Sequence, residues 1–133
     1  MERLADPYAG TTLFHGPVLR VIRNAGVGGS GADATIDGGA VVGNHVPVGG
    51  VDGLLQLALL WARRAGAGDT LPMAVDEVRV HRWGAADGGA AQGVVRGVRA
   101  DATGAVCDAA LLDPDGTPRV ELLGIQLVRR PGS

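Results

Sequence analysis

The rhythm of apolar and polar positions changes twice along this chain and divides it into three parts. In the first part Val18-Leu19-Arg20-Val21-Ile22-Arg23 is β-branched enough to predict a strand. Gly26 to Gly31 predicts a turn, and the alternation of Ala32-Asp33-Ala34-Thr35-Ile36 predicts the returning strand. Met1 to Thr12, punctuated by Pro7 and Gly10, shows no period and reads as a lead-in. From about Val51 to Ala65 alternation gives way to a run that is apolar on nearly every side: Leu54, Leu55, Leu57, Leu59, Leu60 and Trp61. Such a run predicts one long helix, buried rather than lying on a surface. Arg63 and Arg64 suit the negative end of its dipole, and Gly66 and Gly68 end it.

In the third part alternation returns. Between Ala74 and Trp83, Val78 and Val80 share one face of a strand, and Arg79, His81 and Trp83 share the other. Gln92 to Ala100, Ala105 to Leu112 and Arg119 to Arg129 predict three more strands. Asp101-Ala102-Thr103-Gly104 and Asp113-Pro114-Asp115-Gly116 are the turns between them; in the second, proline presets one dihedral and glycine permits a positive one. Two strands, a buried helix and four strands pack most economically as an α+β unit. One antiparallel sheet wraps around a long central helix, a single hotdog over residues 1–133. A curled sheet of this kind keeps open edges, so pairing with a second subunit is expected.

Composition narrows the chemistry. Hydrophobic residues make up 46% of the 133 positions but aromatics only 3%, so valine, leucine and alanine must fill the core. All 12 basic residues are arginines, which excludes lysine Schiff bases and a phosphate-loop lysine. The net charge of −2 and the lack of a basic face argue against a nucleic-acid partner. Cys107 is the only cysteine, so no internal disulfide and no cysteine-based metal site is expected. Met1 to Asp6 is charged where a signal peptide needs an apolar run, and no stretch approaches about 20 uninterrupted apolar residues. A cytoplasmic chain with no membrane contact is the expectation.

Four short motifs follow one another in a suggestive order: Leu13-Phe14-His15-Gly16-Pro17, Asp52-Gly53-Leu54-Leu55-Gln56, Leu71-Pro72-Met73, and Leu111-Leu112-Asp113-Pro114-Asp115-Gly116. In order and spacing they resemble the second half of polyketide synthase dehydratase domains, which are double hotdogs. The resemblance runs from about Pro7 to Arg130. It departs from the family where a His-Pro pair usually stands five and four residues before the aspartate; here those places hold Pro47 and Val48. The first half of such domains brings a His-x-x-x-Gly-x-x-x-x-Pro motif whose histidine is the base. His45 and Gly49 match its first two fixed positions, but Leu54 stands where the proline belongs.

The resemblance implies dehydration of a β-hydroxyacyl thioester. A histidine takes the α-proton, and a carboxylic acid protonates the departing hydroxyl. Asp52 is then the acid and Gln56 the group that orients it or binds the hydroxyl, with His45 and His15 the nearby histidines. Gly16, Pro17, Leu55 and Pro72 become the substrate-lining candidates. No cofactor is implied, because the substrate rides on the phosphopantetheine of an acyl carrier protein; that carrier and a second hotdog, as homodimer or heterodimer, are the implied partners. Each residue also has a plainer reading. Asp52 suits a helix cap, His15 a turn, His45 a loop brace, and His81 a solvated face; Cys107 suits a core, and the Asp113 hairpin pure structure. Arg63-Arg64 and Arg129-Arg130 are either solvated ends or contacts for an acidic carrier or its phosphate. A non-catalytic acyl- or carrier-binding hotdog, or a hotdog thioesterase, isomerase or cyclase, remains the alternative function.

Overall fold

Small and branched aliphatic residues at alternate positions give the strands a face that lies close to a helix. Ala32, Ala34 and Ile36 form one such row, and Ala105, Cys107, Ala109 and Leu111 another, all buried. The computed structural model describes residues 2–3, 22–37, 48–81 and 90–130. Its elements are β1 (Glu2–Arg3), β2 (Ile22–Gly28), β3 (Gly31–Asp37), α1 (Val48–Arg64), β4 (Thr70–Val80), β5 (Ala90–Asp101), β6 (Gly104–Leu112) and β7 (Pro118–Arg129). The strands form one sheet in the order β1-β2-β3-β5-β6-β7-β4, every pair antiparallel. Helix α1 lies against β2, β3, β5 and β6 and reaches β4 and β7 less fully. This is the single hotdog expected from the element order.

Leu54, Leu57, Ala58, Leu59, Leu60, Trp61 and Ala62 are buried on α1, so the helix is enclosed as its all-round apolar pattern predicts. Two glycines of β5 let it approach. A Cβ at Gly93 would meet Ile36 and Leu54, and one at Gly97 would lie 2.3 Å from the Trp61 ring. The polar tip of that indole donates to the Gly29 carbonyl at 3.2 Å. The helix stops in a Schellman turn. Gly66, at φ +100°, donates to the Arg63 carbonyl, and Ala67 donates to that of Ala62.

Strand β2 departs most from the sequence pattern. It continues through Gly26–Gly28, where the glycines predict a turn, and the turn shrinks to Gly29–Ser30. The cause is a bulge between Arg23 and Gly26, with Asn24 at φ 52°. The bulge places Ile22, Ala25 and Val27 together on the buried face, a spacing that no two-residue period reveals. Val18 to Val21 lie outside the described residues. Strand β4 begins at Thr70, earlier than its alternation suggests, and among the described residues forms an open edge of the sheet. Met73 and Val78 on it are 66% and 56% exposed.

Candidate functional site

Helix α1 starts at Val48, so Asp52 is its fifth residue, and the first turn carries no acidic side chain. That position is past those from which a side chain caps the free N–H groups, which removes the cap reading of Asp52. Its Oδ2 instead accepts a hydrogen bond from Gln56 Nε2 at 2.5 Å, one turn along the same face. Gln56 is fully buried and Asp52 half-buried. A buried amide is tolerated when it is hydrogen-bonded, so the pair fixes the direction of the carboxyl from below while leaving it partly open above. Protonated, such a carboxyl donates to a leaving oxygen; ionised, it accepts.

Leu55 is half-buried and packs on the core beside this pair. Pro72 is exposed, opposite Leu127, at a bulge two residues into β4, the strand that departs from the C-terminal end of α1. Asp52 lies near the other end. His15, Gly16, Pro17 and His45 lie outside the described residues. His81, read as a solvated side chain, is exposed but engaged: its Nε2 is 2.7 Å from Glu121 Oε1, and its main-chain N–H donates to the Arg119 carbonyl. Among the described residues no group of three or more histidine, cysteine, aspartate or glutamate side chains is placed to hold a metal ion. No helix among them is long and apolar enough to cross a membrane.

Sequence pattern misses a buried ion pair. Arg119 donates through Nε at 2.9 Å and Nη2 at 2.7 Å to Asp113 Oδ1, with both side chains only 5% exposed. The turn around Asp113 is legible; that its first carboxylate accepts from an arginine six residues later depends on how the hairpin closes. Asp113 also borders a cleft of about 370 Å³ shared with Thr35, Gln92 and Leu112. On the outer face, the Gly124 N–H and then the Arg96 guanidinium hold the Asp108 carboxyl below the usual range. Burial pushes the Cys107 thiol up to about 12, so it stays protonated and serves as a core residue.

Residues 5–132 match a family model described as the polyketide synthase dehydratase N-terminal domain. Among curated proteins nothing matches. Solved structures do. GphF dehydratase 1 superposes with a TM-score of 0.67 at 18% identity, over 87% of this chain and 45% of that one. The dehydratase domain of a mycocerosic acid synthase-like polyketide synthase gives 0.66 at 22%, over 90% and 44%. The dehydratase domain from the CurH module of curacin polyketide synthase gives 0.65 at 20%, over 88% and 43%. This chain thus spans less than half the length of the structures it matches, and at these identities the likeness establishes the fold.

Proposed function

The chain belongs to the polyketide synthase dehydratase family, and from that premise we propose that it acts as one hotdog half of a β-hydroxyacyl-thioester dehydratase. The observation that carries the reading is the Asp52–Gln56 hydrogen bond on a buried helix. In the reaction a histidine base removes the α-proton. The electron pair forms the α,β-double bond, and the β-hydroxyl leaves as water with the proton that Asp52 donates. Gln56 holds the Asp52 carboxyl toward the hydroxyl. The order of the four motifs, with Asp52 and Gln56 four apart, favours the second half of a double hotdog, although the matching model is named for the first.

The base comes from a second hotdog, a twin subunit or a neighbouring half, or from His45 or His15 of such a twin. The open edge at β4, with Met73 and Val78 uncovered, supports a partner there. The substrate is carried on the phosphopantetheine of an acyl carrier protein in the cytoplasm, and the chain needs no cofactor of its own. Replacing Asp52 with Asn in the reconstituted pair is expected to lower formation of the dehydrated thioester by about 10²–10⁴-fold with the circular dichroism spectrum unchanged. Undiminished turnover rules Asp52 out. Pro47 and Val48, in the places of the family's His-Pro pair, favour a second reading: a non-catalytic hotdog that binds acyl chain or carrier. Carrier binding without turnover by any pairing selects it. Product mass separates the remaining hotdog chemistries, since hydrolysis frees an acid and isomerisation leaves the mass unchanged.

A further inference from the structure

Arginines far apart in sequence converge on the link that follows α1: Arg63, Arg129 and Arg130 all reach Gly68 or Asp69, and Arg64 adjoins Arg63 at the helix end. Arg63 and Arg64 close α1, while Arg129 ends β7 and Arg130 follows it. The link from α1 to β4 draws them together. Asp69 Oδ1 accepts from Arg63 Nη1 at 2.6 Å, and its Oδ2 is 3.1 Å from Arg130 Nη2. The main-chain N–H of Arg130 also donates to the Asp69 carbonyl at 2.8 Å. The Arg129 guanidinium lies over Gly68, where a Cβ would come within 3.3 Å of it, and Nη1 donates to the Ala102 carbonyl. Asp69 is a carboxylate bound to this group, and among the described residues neither Arg64 nor Arg129 makes an ion pair. Arg63, Arg64 and Arg129 are exposed.

The helix dipole accounts for a cation or two in the last turn. It does not call for two more from the end of β7, which add mutual repulsion at close quarters. On a chain of net charge −2, such a local excess of positive charge steers acidic groups to one place. We infer that this arginine cluster is a docking surface for an acidic protein segment whose carboxylates meet Arg63, Arg64 and Arg129. A compact phosphate fits it poorly, because Asp69 already engages the Arg63 and Arg130 guanidiniums; spaced carboxylates can reach past Asp69 to Arg63, Arg64 and Arg129. Nucleic acid fits poorly too, since three exposed arginines offer few phosphate contacts and the rest of the chain repels it. The patch lies about 18 Å along α1 from Asp52, twelve residues at 1.5 Å each. The inference therefore stands apart from the dehydratase reading, and its test does not use turnover.

The experiment is fluorescence anisotropy of a labelled short oligoglutamate peptide with the whole chain, with oligoglutamine as the neutral control. Oligoglutamate is expected to bind and oligoglutamine not. Binding should fall as salt shortens the Debye length from about 10 to about 3 Å. The double variant Arg64→Gln with Arg129→Gln should bind about tenfold more weakly at an unchanged melting temperature, and Arg64→Lys with Arg129→Lys should keep most of the affinity. Arg79→Gln with Arg96→Gln, on the outer face, should bind as the parent does. Equal binding of both peptides, an equal loss in the outer-face control, displacement by millimolar inorganic phosphate, or tighter binding of a short oligonucleotide would each overturn the proposal. So would a double variant that melts earlier yet binds normally, because the arginines would then serve the helix alone.

Discussion

Gln56 places an amide in the core, where a leucine would pack with no polar group to satisfy, and its hydrogen bond gives one carboxyl a fixed direction. Gln56→Leu keeps most of the volume and removes the donor. We expect a folded chain whose dehydration kcat drops about 10-fold or more with KM nearly kept, the signature of a lost transition-state contact; a split in the opposite sense would make Gln56 a substrate-binding group. The i, i+4 spacing makes this pair legible in the sequence, because helical geometry alone brings such residues together. The Asp113–Arg119 pair was not legible, since its two members meet only when the hairpin between β6 and β7 closes. Arg119→Met leaves a buried carboxylate without that donor and should cost about 3–5 kcal/mol in urea unfolding, whereas an exposed arginine such as Arg79 should be nearly silent. Asp108 has its folded-state pKa depressed, so the stability it contributes is present above the ordinary carboxylate value of about 4 and is lost as pH falls through the folded value. Asp108→Asn should therefore lose less stability than the parent on acidification below about pH 4, measured as melting temperature against pH.

At the scale of elements, α1 announced itself through six large apolar residues and two terminal glycines, and the strands after it through their turns. Its start was less legible, because Val48, Gly49 and Gly50 carry no apolar period and the helix extends back through them. Strand β2 was hidden for a different reason. Its bulge breaks the alternation that a sequence scan detects, and its glycines imitate a turn. The contact between β5 and α1 is equally invisible in sequence, since it depends on side chains that are absent. Gly97→Ala puts a methyl group 2.3 Å from the Trp61 ring and should destabilise by about 1–3 kcal/mol. Gly29→Ala, with nothing within 4 Å of the new Cβ, should change stability by less than about 0.5 kcal/mol. Equal urea midpoints for the two variants would show that the helix has room to shift.

For the whole molecule the unfinished part is β4. Among the described residues one neighbour pairs it, β7; Leu71 and Val128 sit exposed opposite one another, and Val78, opposite the buried Leu122, remains uncovered on the helix side of the sheet. The chain also spans less than half of the dehydratase structures that share its fold. The proposed second hotdog, placed along this edge, would cover these apolar residues. Met73→Lys with Val78→Lys is expected to reduce the native mass to that of a single chain with the circular dichroism spectrum intact. A mass unchanged from the parent's would place the partner elsewhere. The open edge was foreseeable from the count of strands around one helix, but which strand would be left open was not, because that depends on the crossover order of the sheet.

Gly93 and Gly97 together make α1 a rod resting on two bearings. At each the helix touches β5 where a side chain would otherwise stand, through Leu54 at one and Trp61 at the other. A rod held at two points has a fixed tilt, and Asp52 lies on the overhang beyond the first. A methyl group at position 93 would meet Ile36 first, at 2.4 Å, and Leu54 next, at 3.3 Å, so both β3 and the helix turn beside Asp52 would have to give. The setting of the helix turn that carries Asp52 therefore depends on a side chain that β5 lacks, and a substitution at position 93 can alter it without changing Asp52 or Gln56.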